Sequence, residues 1–232
     1  MLEGIKKLHF VGIGGVGMSA IAEVMLDKGY EISGSDLSES AVVKHLKAKG
    51  ATIYKGHDAL NVEGKEALVL SSAIHQDNPE LVAAKAKGLK LFHRSDILAY
   101  LLNDAKGIAV AGAHGKTTTS SMISVVLEHA KVDPTILIGG FVDYLKGNAK
   151  LGKSDYLVAE ADESDGSFLK FYPKIAVVTN IECTHQDHHV NLDEYVDAKR
   201  NILIYQNSNC RTVLNADCDY SIGNRVYHDM RY

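Results

Sequence analysis

The chain has 232 residues, 46% of them hydrophobic, with 25 basic and 29 acidic side chains and a formal net charge of −4. That is enough apolar material for one or two packed domains. The mixed, slightly acidic charge offers no nucleic-acid footprint, and no apolar run approaches the roughly 20 residues needed to span a bilayer.

In chain order, Met1-Leu2-Glu3-Gly4-Ile5-Lys6-Lys7 leads straight into a short strand and lacks a signal-peptide layout. The apolar run 8–11 precedes Gly12-Ile13-Gly14-Gly15-Val16-Gly17, and a helical pattern follows over 18–28, ended by Gly29. A strand over 31–36 finishes on Asp36, and a helix follows over 39–49. Strands are expected at 52–54, 67–70 and 89–92, and helices at 79–87 and 96–102. A second strand–loop–helix series starts at Gly107, with strands at 107–110, 135–138, 155–160, 175–179 and 212–214 and helices at 120–130 and 192–206. Alternation of this kind predicts an α/β protein. An N-terminal Rossmann-like parallel-sheet domain, 1–104, is followed by a phosphate-loop α/β domain, 105–232. The second domain is short, so the chain is expected to stop before the native protein does.

Two segments carry phosphate chemistry. Ala111-Gly112-Ala113-His114-Gly115-Lys116-Thr117-Thr118-Thr119 lies between a strand and a helix. A glycine loop there points backbone N–H groups and a helix N-terminus at one spot, with Lys116 for the β- and γ-phosphates and the Thr117 hydroxyl for Mg²⁺. The usual spacing places a further glycine at position 110, where this chain has Val110. The second segment, Gly12-x-Gly14-Gly15-x-Gly17, has Asp36 at the end of the next strand, where an acid can accept from a ribose hydroxyl. The glycine pattern does not say which nucleotide binds, and an NAD-dependent oxidoreductase or a non-catalytic nucleotide-responsive module also fits it.

Acids cluster at Glu160-Ala161-Asp162-Glu163-Ser164-Asp165, after an apolar strand, so Glu160 or Asp162 falls at the carboxyl edge of a sheet and suits Mg²⁺. His185, His188 and His189 invite a zinc reading, but their spacing does not fit one helix face and no Glu-x-x-His partner is present. Cys183, Cys210 and Cys218 are odd in number and widely spaced, which fits reduced thiols of a cytoplasmic protein rather than a disulfide framework.

Together these segments resemble the Mur ligase family, the ATP-dependent amide-forming enzymes of peptidoglycan synthesis. The residues that carry the resemblance are Phe10-Val11-Gly12-Ile13-Gly14-Gly15-Val16-Gly17-Met18-Ser19, Ser33-Gly34-Ser35-Asp36, Ser71-Ser72-Ala73-Ile74, Asn78-Pro79-Glu80, Ala111 to Thr119, Glu160 to Asp165 and Thr179-Asn180-Ile181-Glu182. The resemblance implies three domains, for UDP-sugar, ATP and amino acid, of which this chain holds the first and part of the second. It implies UDP-sugar contacts at Gly12, Ile13, Gly14, Gly15, Val16, Gly17, Met18, Ser19, Asp36, His57, Ser71, Ser72 and Arg94. The ATP site would be Gly112, Ala113, His114, Gly115, Lys116, Thr117, Thr118 and Asn180. Lys116, Glu160 and His185 would be catalytic, and Thr117, Glu160 and His185 would hold Mg²⁺.

The implied reaction joins L-alanine to UDP-N-acetylmuramate through an acyl phosphate, giving ADP and phosphate. Recycling ligases that attach a tripeptide to the same sugar nucleotide share this N-terminal half. Family members commonly carry Asp-His where this chain has Thr184-His185. The run 192–199 is more similar to the relatives that add D-glutamate or diaminopimelate, in which a lysine at the place of Lys199 is carbamylated and helps bind Mg²⁺. Without its third domain the chain is expected to bind UDP-N-acetylmuramate, to hold ATP weakly and not to complete ligation.

Overall fold

The computed structural model describes residues 1–161, 170–180 and 209–216. The chain divides into two units, Met1–Tyr100 with Gly139–Leu151, and Leu101–Ile138 with Gly152–Tyr232.

The first unit is built from β1 (Lys7–Val11), α1 (Val16–Asp27), β2 (Glu31–Asp36), α2 (Ala41–Ala48), β3 (Thr52–Lys55), β4 (Ala67–Leu70), α3 (Pro79–Ala86) and β5 (Lys90–His93), with α4 (Arg94–Asn103) following. Its five strands are parallel, in the order β3-β2-β1-β4-β5. The central strands read as near-continuous apolar runs because helices cover both faces. Leu8, Phe10, Val11, Ala67, Leu68 and Val69 are all fully buried, and Val11 and Leu68 pack with Val62, Leu81 and Ala84. The chain winds one way from β1 to β3 and the other from β4 to β5. A crevice therefore opens at the carboxyl ends of β1 and β4, where open α/β sheets take ligands.

The second sheet is formed, with α5 (Lys116–His129) beside it, by β6 (Lys106–Ala111), β7 (Thr135–Val142), β8 (Gly147–Lys150), β9 (Tyr156–Glu160), β10 (Ile175–Val178) and β11 (Arg211–Leu214). Their order is β11-β10-β6-β9-β7-β8. β6 pairs parallel with both β9 and β10, placing the strand before the lysine loop between two neighbours whose carboxyl ends flank it.

Two features differ from the expectation. β7 runs to Val142 rather than 138, and a further strand, β8, reached through a short 3-10 turn at Asp143–Leu145, is not among those expected; this sheet is mixed. Gly147-Asn148-Ala149-Lys150 has no β-branched or aromatic residue, so no strand signal marks it. The end of β7 and all of β8 cluster with the first unit. There Asn148, almost buried, donates to the Val16 carbonyl at 2.7 Å.

The helix starts fall into two kinds. Ser40 caps α2 by accepting from Val43 N at 3.3 Å, and Asn78 caps α3 by accepting from Glu80 N and Leu81 N at 3.0 and 3.3 Å. α1 and α5 begin after Gly15 and Gly115, which have no side chain to cap with, and neither helix has an acid in its first turn. First-turn N–H groups have no intrahelical partner, and such helix starts suit an anion.

Candidate functional site

The first cradle is the turn from β1 into α1. Ser35 O accepts from both Gly12 N (2.9 Å) and Ile13 N (3.0 Å), which ties the loop to β2. The Asp36 carboxylate accepts from Gly14 N at 2.8 Å through Oδ2, and from Ser38 N and Ser38 Oγ at 2.9 and 3.1 Å through Oδ1. Asp36 therefore shapes the loop itself, with lone pairs to spare, since a carboxylate accepts about four hydrogen bonds.

The loop's exposed part is Gly15 and Val16, whereas Ile13, Met18 and Ser19 are turned into the core. Those three can meet a ligand only through their backbone. Gly17 leaves room for Arg94, whose Nη1 lies 2.9 Å from where a Cβ on Gly17 would sit. A guanidinium at an uncapped helix start is suited to a phosphate.

Ser72 Oγ lies 3.2 Å from His93 Nε2, and Ser71 O receives Ile74 N, whose side chain covers Gly12. Gly12, Gly14, Gly17, Asp36 and Arg94 are thus brought together. Ser71 and Ser72 sit at the end of neighbouring β4, and His57 follows β3 and joins through Ser35.

Beneath this cradle lies a polar network that sequence reasoning did not assemble. Glu80, wholly buried on the first turn of α3, receives Asn61 Nδ2 at 2.7 Å and Ser35 Oγ at 2.6 Å. Its oxygens also lie 3.2 Å from His9 Nε2 and 2.8 Å from His57 Nδ1. His9 Nδ1 in turn meets Ser33 Oγ at 3.0 Å. Burial pushes the Glu80 carboxyl up, but the bonds from His9, Ser35 and Asn61 outweigh it and bring the pKa down from 4.5 to about 2. A histidine in the middle of the apolar run 8–11 was the available signal, because a buried polar group requires partners.

The second cradle runs from β6 into α5. Gly112 has φ +145°, and a Cβ there would collide with Thr179 Oγ1 and stand 3.2 Å from Asn180 N, so only glycine fits. Gly112, not a glycine at position 110, makes the turn; Val110 is a buried residue of β6. Lys116 Nζ donates to Gly112 O at 2.6 Å.

Asn180 braces the loop from β10. Its Oδ1 accepts from His114 N at 2.9 Å, its Nδ2 donates to His114 O at 3.0 Å, and its carbonyl accepts from Ala113 N at 3.3 Å. The Thr179 hydroxyl donates to His114 O at 2.6 Å. Gly115, Thr117 and Thr118 are exposed. Glu160 ends β9 in register with Val110, half-buried, its Oε1 3.2 Å from the Ser120 hydroxyl on the second turn of α5.

The site thus gathers Gly112 to Thr118, Glu160, Thr179 and Asn180. His185, Lys199, the acids 162–165, the histidines 188 and 189, Cys183, Cys218 and the helix expected over 192–206 lie outside the described residues. Cys210 is half-buried and not in a disulfide.

A Thr hydroxyl at an exposed first turn and a carboxylate at the neighbouring strand end are hard oxygen donors of the kind Mg²⁺ takes alongside phosphate oxygens and water. Among the described residues no group of three or more His, Cys, Asp or Glu is placed to hold a metal by itself. Magnesium sites built with the substrate's phosphates do not need one.

Residues 7–106 match the model of the Mur ligase family, catalytic domain, and residues 110–228 match that of the Mur ligase middle domain. The chain belongs to the Mur ligase family. It is 50% identical over 214 residues to the UDP-N-acetylmuramate--L-alanine ligase of Dictyoglomus turgidum, a match covering 92% of this chain and 46% of that protein. The corresponding ligase of Hydrogenobaculum sp. (strain Y04AAS1) is 54% identical over 84% of this chain and 44% of its own. The chain therefore spans about half the length of the curated relatives it matches.

Among solved structures, the UDP-N-acetylmuramate-alanine ligase MurC of Thermotoga maritima superposes with a TM-score of 0.84 at 32% identity, covering 93% of this chain and 50% of that one. The UDP-N-acetylmuramate:L-alanyl-gamma-D-glutamyl-meso-diaminopimelate ligase of Neisseria meningitides gives 0.86 at 28% identity, covering 94% and 73%. Among the described residues no helix is long and apolar enough to cross a membrane.

Proposed function

We propose that this Mur ligase chain carries the sugar-nucleotide and ATP sites of a cytoplasmic, peptidoglycan-building ligase that joins L-alanine to UDP-N-acetylmuramate, forming ADP and phosphate. The observation that carries the reading is the pair of uncapped, glycine-opened helices, α1 and α5, each at the carboxyl end of a central parallel strand. The identity to L-alanine ligases supports L-alanine and UDP-N-acetylmuramate as the substrates.

In this reading the α1 turn, with Arg94, holds the UDP diphosphate; Asp36 keeps the turn open and faces the uridine side. The α5 turn holds ATP through the N–H groups of the first turn, and Lys116 leaves Gly112 O for the β- and γ-phosphates. Thr117 and Glu160, with His185 and a carbamylated Lys199, would hold Mg²⁺, which neutralises charge on the phosphate oxygens when bound. The substrate carboxylate attacks the γ-phosphorus and the bridging oxygen leaves on ADP; the alanine amine then adds to the acyl phosphate and expels phosphate. Positioning and charge compensation by Lys116 and the loop amides are the protein's contribution.

Calorimetric titration with UDP-N-acetylmuramate, UDP-N-acetylglucosamine and NAD tests the first site. The first ligand is expected to bind at least about tenfold more tightly than the others; preference for NAD would overturn the reading. The similarity to the Neisseria tripeptide ligase favours a second reading, attachment of a tripeptide to the same sugar nucleotide. Because the chain spans about half the length of those relatives, the two readings are separated in a full-length ligase that carries these residues: ADP formation that depends on L-alanine marks the first, and dependence on the tripeptide marks the second.

A further inference from the structure

A hydrogen bond between side chains ties α5 to the end of β9. Ser120 Oγ lies 3.2 Å from Glu160 Oε1, and Ser120 is wholly buried on the second turn of α5. Ala161 N donates to Val110 O at 2.9 Å, which fixes the backbone just after Glu160. The same hydroxyl lies 2.8 Å from Lys116 O and 3.2 Å from Thr117 O. Ser120 therefore stands between the two candidate metal donors, in reach of the Thr117 backbone on one side and the Glu160 carboxylate on the other.

A hydroxyl has one proton to give. Lys116 O and Thr117 O are served without it, because each accepts the N–H four residues on within the helix. Thr117 O also accepts from Ser121 Oγ at 2.7 Å. The Glu160 carboxylate, by contrast, has Ser120 as its hydrogen-bond partner among the described residues. A carboxylate is also the strongest acceptor of the three, since a bond to a charged oxygen is about twice as strong as one to a neutral oxygen. Carboxylates that hold a metal are oriented by donors of this kind.

We propose that Ser120 is a positioning residue of the ATP site: its hydroxyl holds Oε1 of Glu160 and leaves Oε2 for Mg²⁺, so that it sets how well the loop takes the metal rather than how well it takes the nucleotide. The inference rests on the reading of the loop as an MgATP site with Thr117 and Glu160 as metal donors. No covalent bond changes. The nucleotide is held by the first-turn N–H groups and the Lys116 ammonium, to which the Ser120 hydroxyl makes no bond. A serine that merely folds back on its own helix makes a different prediction: its removal alters the helix and leaves the metal's share of binding alone.

The experiment is calorimetry of the chain with ATP, once with excess Mg²⁺ and once with a chelator. The wild type is expected to bind MgATP at least about tenfold more tightly than metal-free ATP. Ser120→Ala removes one oxygen and favours the helix, so it is expected to fold. Its affinity for metal-free ATP should stay within about twofold of the wild type, while its preference for MgATP should fall to about threefold or less. Ser120→Thr, which keeps the hydroxyl, should recover the preference; if its extra methyl prevents folding, the Ser120→Ala titrations decide alone. Glu160→Gln should lack the preference, and adding Ser120→Ala to it should change nothing further.

An undiminished MgATP preference in Ser120→Ala overturns the proposal. So does an equal loss of affinity with and without metal, which is the behaviour of a packing residue. A wild type that binds MgATP and metal-free ATP alike, or a Glu160→Gln variant that keeps the preference, is a different result. It removes the metal donors from the reading, and this proposal with them. No binding of millimolar ATP by the wild type in either condition overturns the ATP reading itself.

Discussion

The two glycine cradles solve the same problem with different supports. The turn before α1 is braced by a carboxylate, Asp36 on Gly14 N, and rests on the buried Glu80 network. The turn before α5 is braced by an amide and a hydroxyl, Asn180 and Thr179 on His114, and has its own lysine folded back on Gly112 O. In the proposed function an acid beside the first anion site is tolerable because the sugar nucleotide's charge is modest and spread over a diester. In the same proposed function the triphosphate needs positive charge delivered into the loop, and Lys116 is the side chain placed to supply it. On that reading a glycine turn alone does not define its ligand; the charged side chains beside it, Asp36 at one turn and Lys116 at the other, do.

The largest change should come from closing the second cradle. Gly112→Ala drives a Cβ into Thr179 Oγ1 and keeps a strained φ. The variant should lose about 3 kcal/mol or more of stability in chemical denaturation and lose MgATP binding. Unchanged stability would show that the β10 end yields easily.

The network under the first cradle sets an acid limit. The folded pKa of Glu80, about 2, lies below its ordinary 4.5, so its stabilisation is present above about pH 4.5 and is lost as pH falls toward 2. The loss should be on the order of 3 kcal/mol and should be largely absent in Glu80→Gln, as read from denaturation midpoints across that window. Parallel pH profiles for the two proteins would count against it.

Lys116→Ala should weaken MgATP binding roughly 10- to 100-fold, the value of a charged hydrogen bond, and leave UDP-N-acetylmuramate binding unchanged. A loss at both sites would break the assignment of the lysine to one cradle. Asp36→Asn should be the mildest. One oxygen can still accept from Gly14 N, so UDP-N-acetylmuramate binding should fall roughly five- to tenfold with MgATP unaffected. No loss at all would remove Asp36 from the account of the first turn.

Both cradles were readable from residues 12–17 and 112–119, because glycine spacing, Lys116 and the flanking apolar runs are local signals. What joins them to the rest of the molecule was not. Ser35, His57 and Asn61 reach Glu80 across 45, 23 and 19 positions, and no periodicity encodes such pairings. α5 was expected from 120 but starts at Lys116, since its first turn is polar and the apolar pattern begins later. The face it buries is also not the apolar one. Ser120 and Ser124 are buried, donating to the helix's own carbonyls, while Met122 and Val126 are 64% and 67% exposed. Small side chains let the helix sit close to the sheet, which is how the Ser120 hydroxyl reaches Glu160.

The most direct test of two separate anion sites is backbone hydrogen exchange with each ligand in turn. The account predicts that UDP-N-acetylmuramate slows exchange at the amides of residues 12–19 and leaves 112–118 unchanged, while millimolar MgATP does the reverse. Protection of both loops by one ligand, or of residues 12–19 by NAD in preference to UDP-N-acetylmuramate, would contradict it.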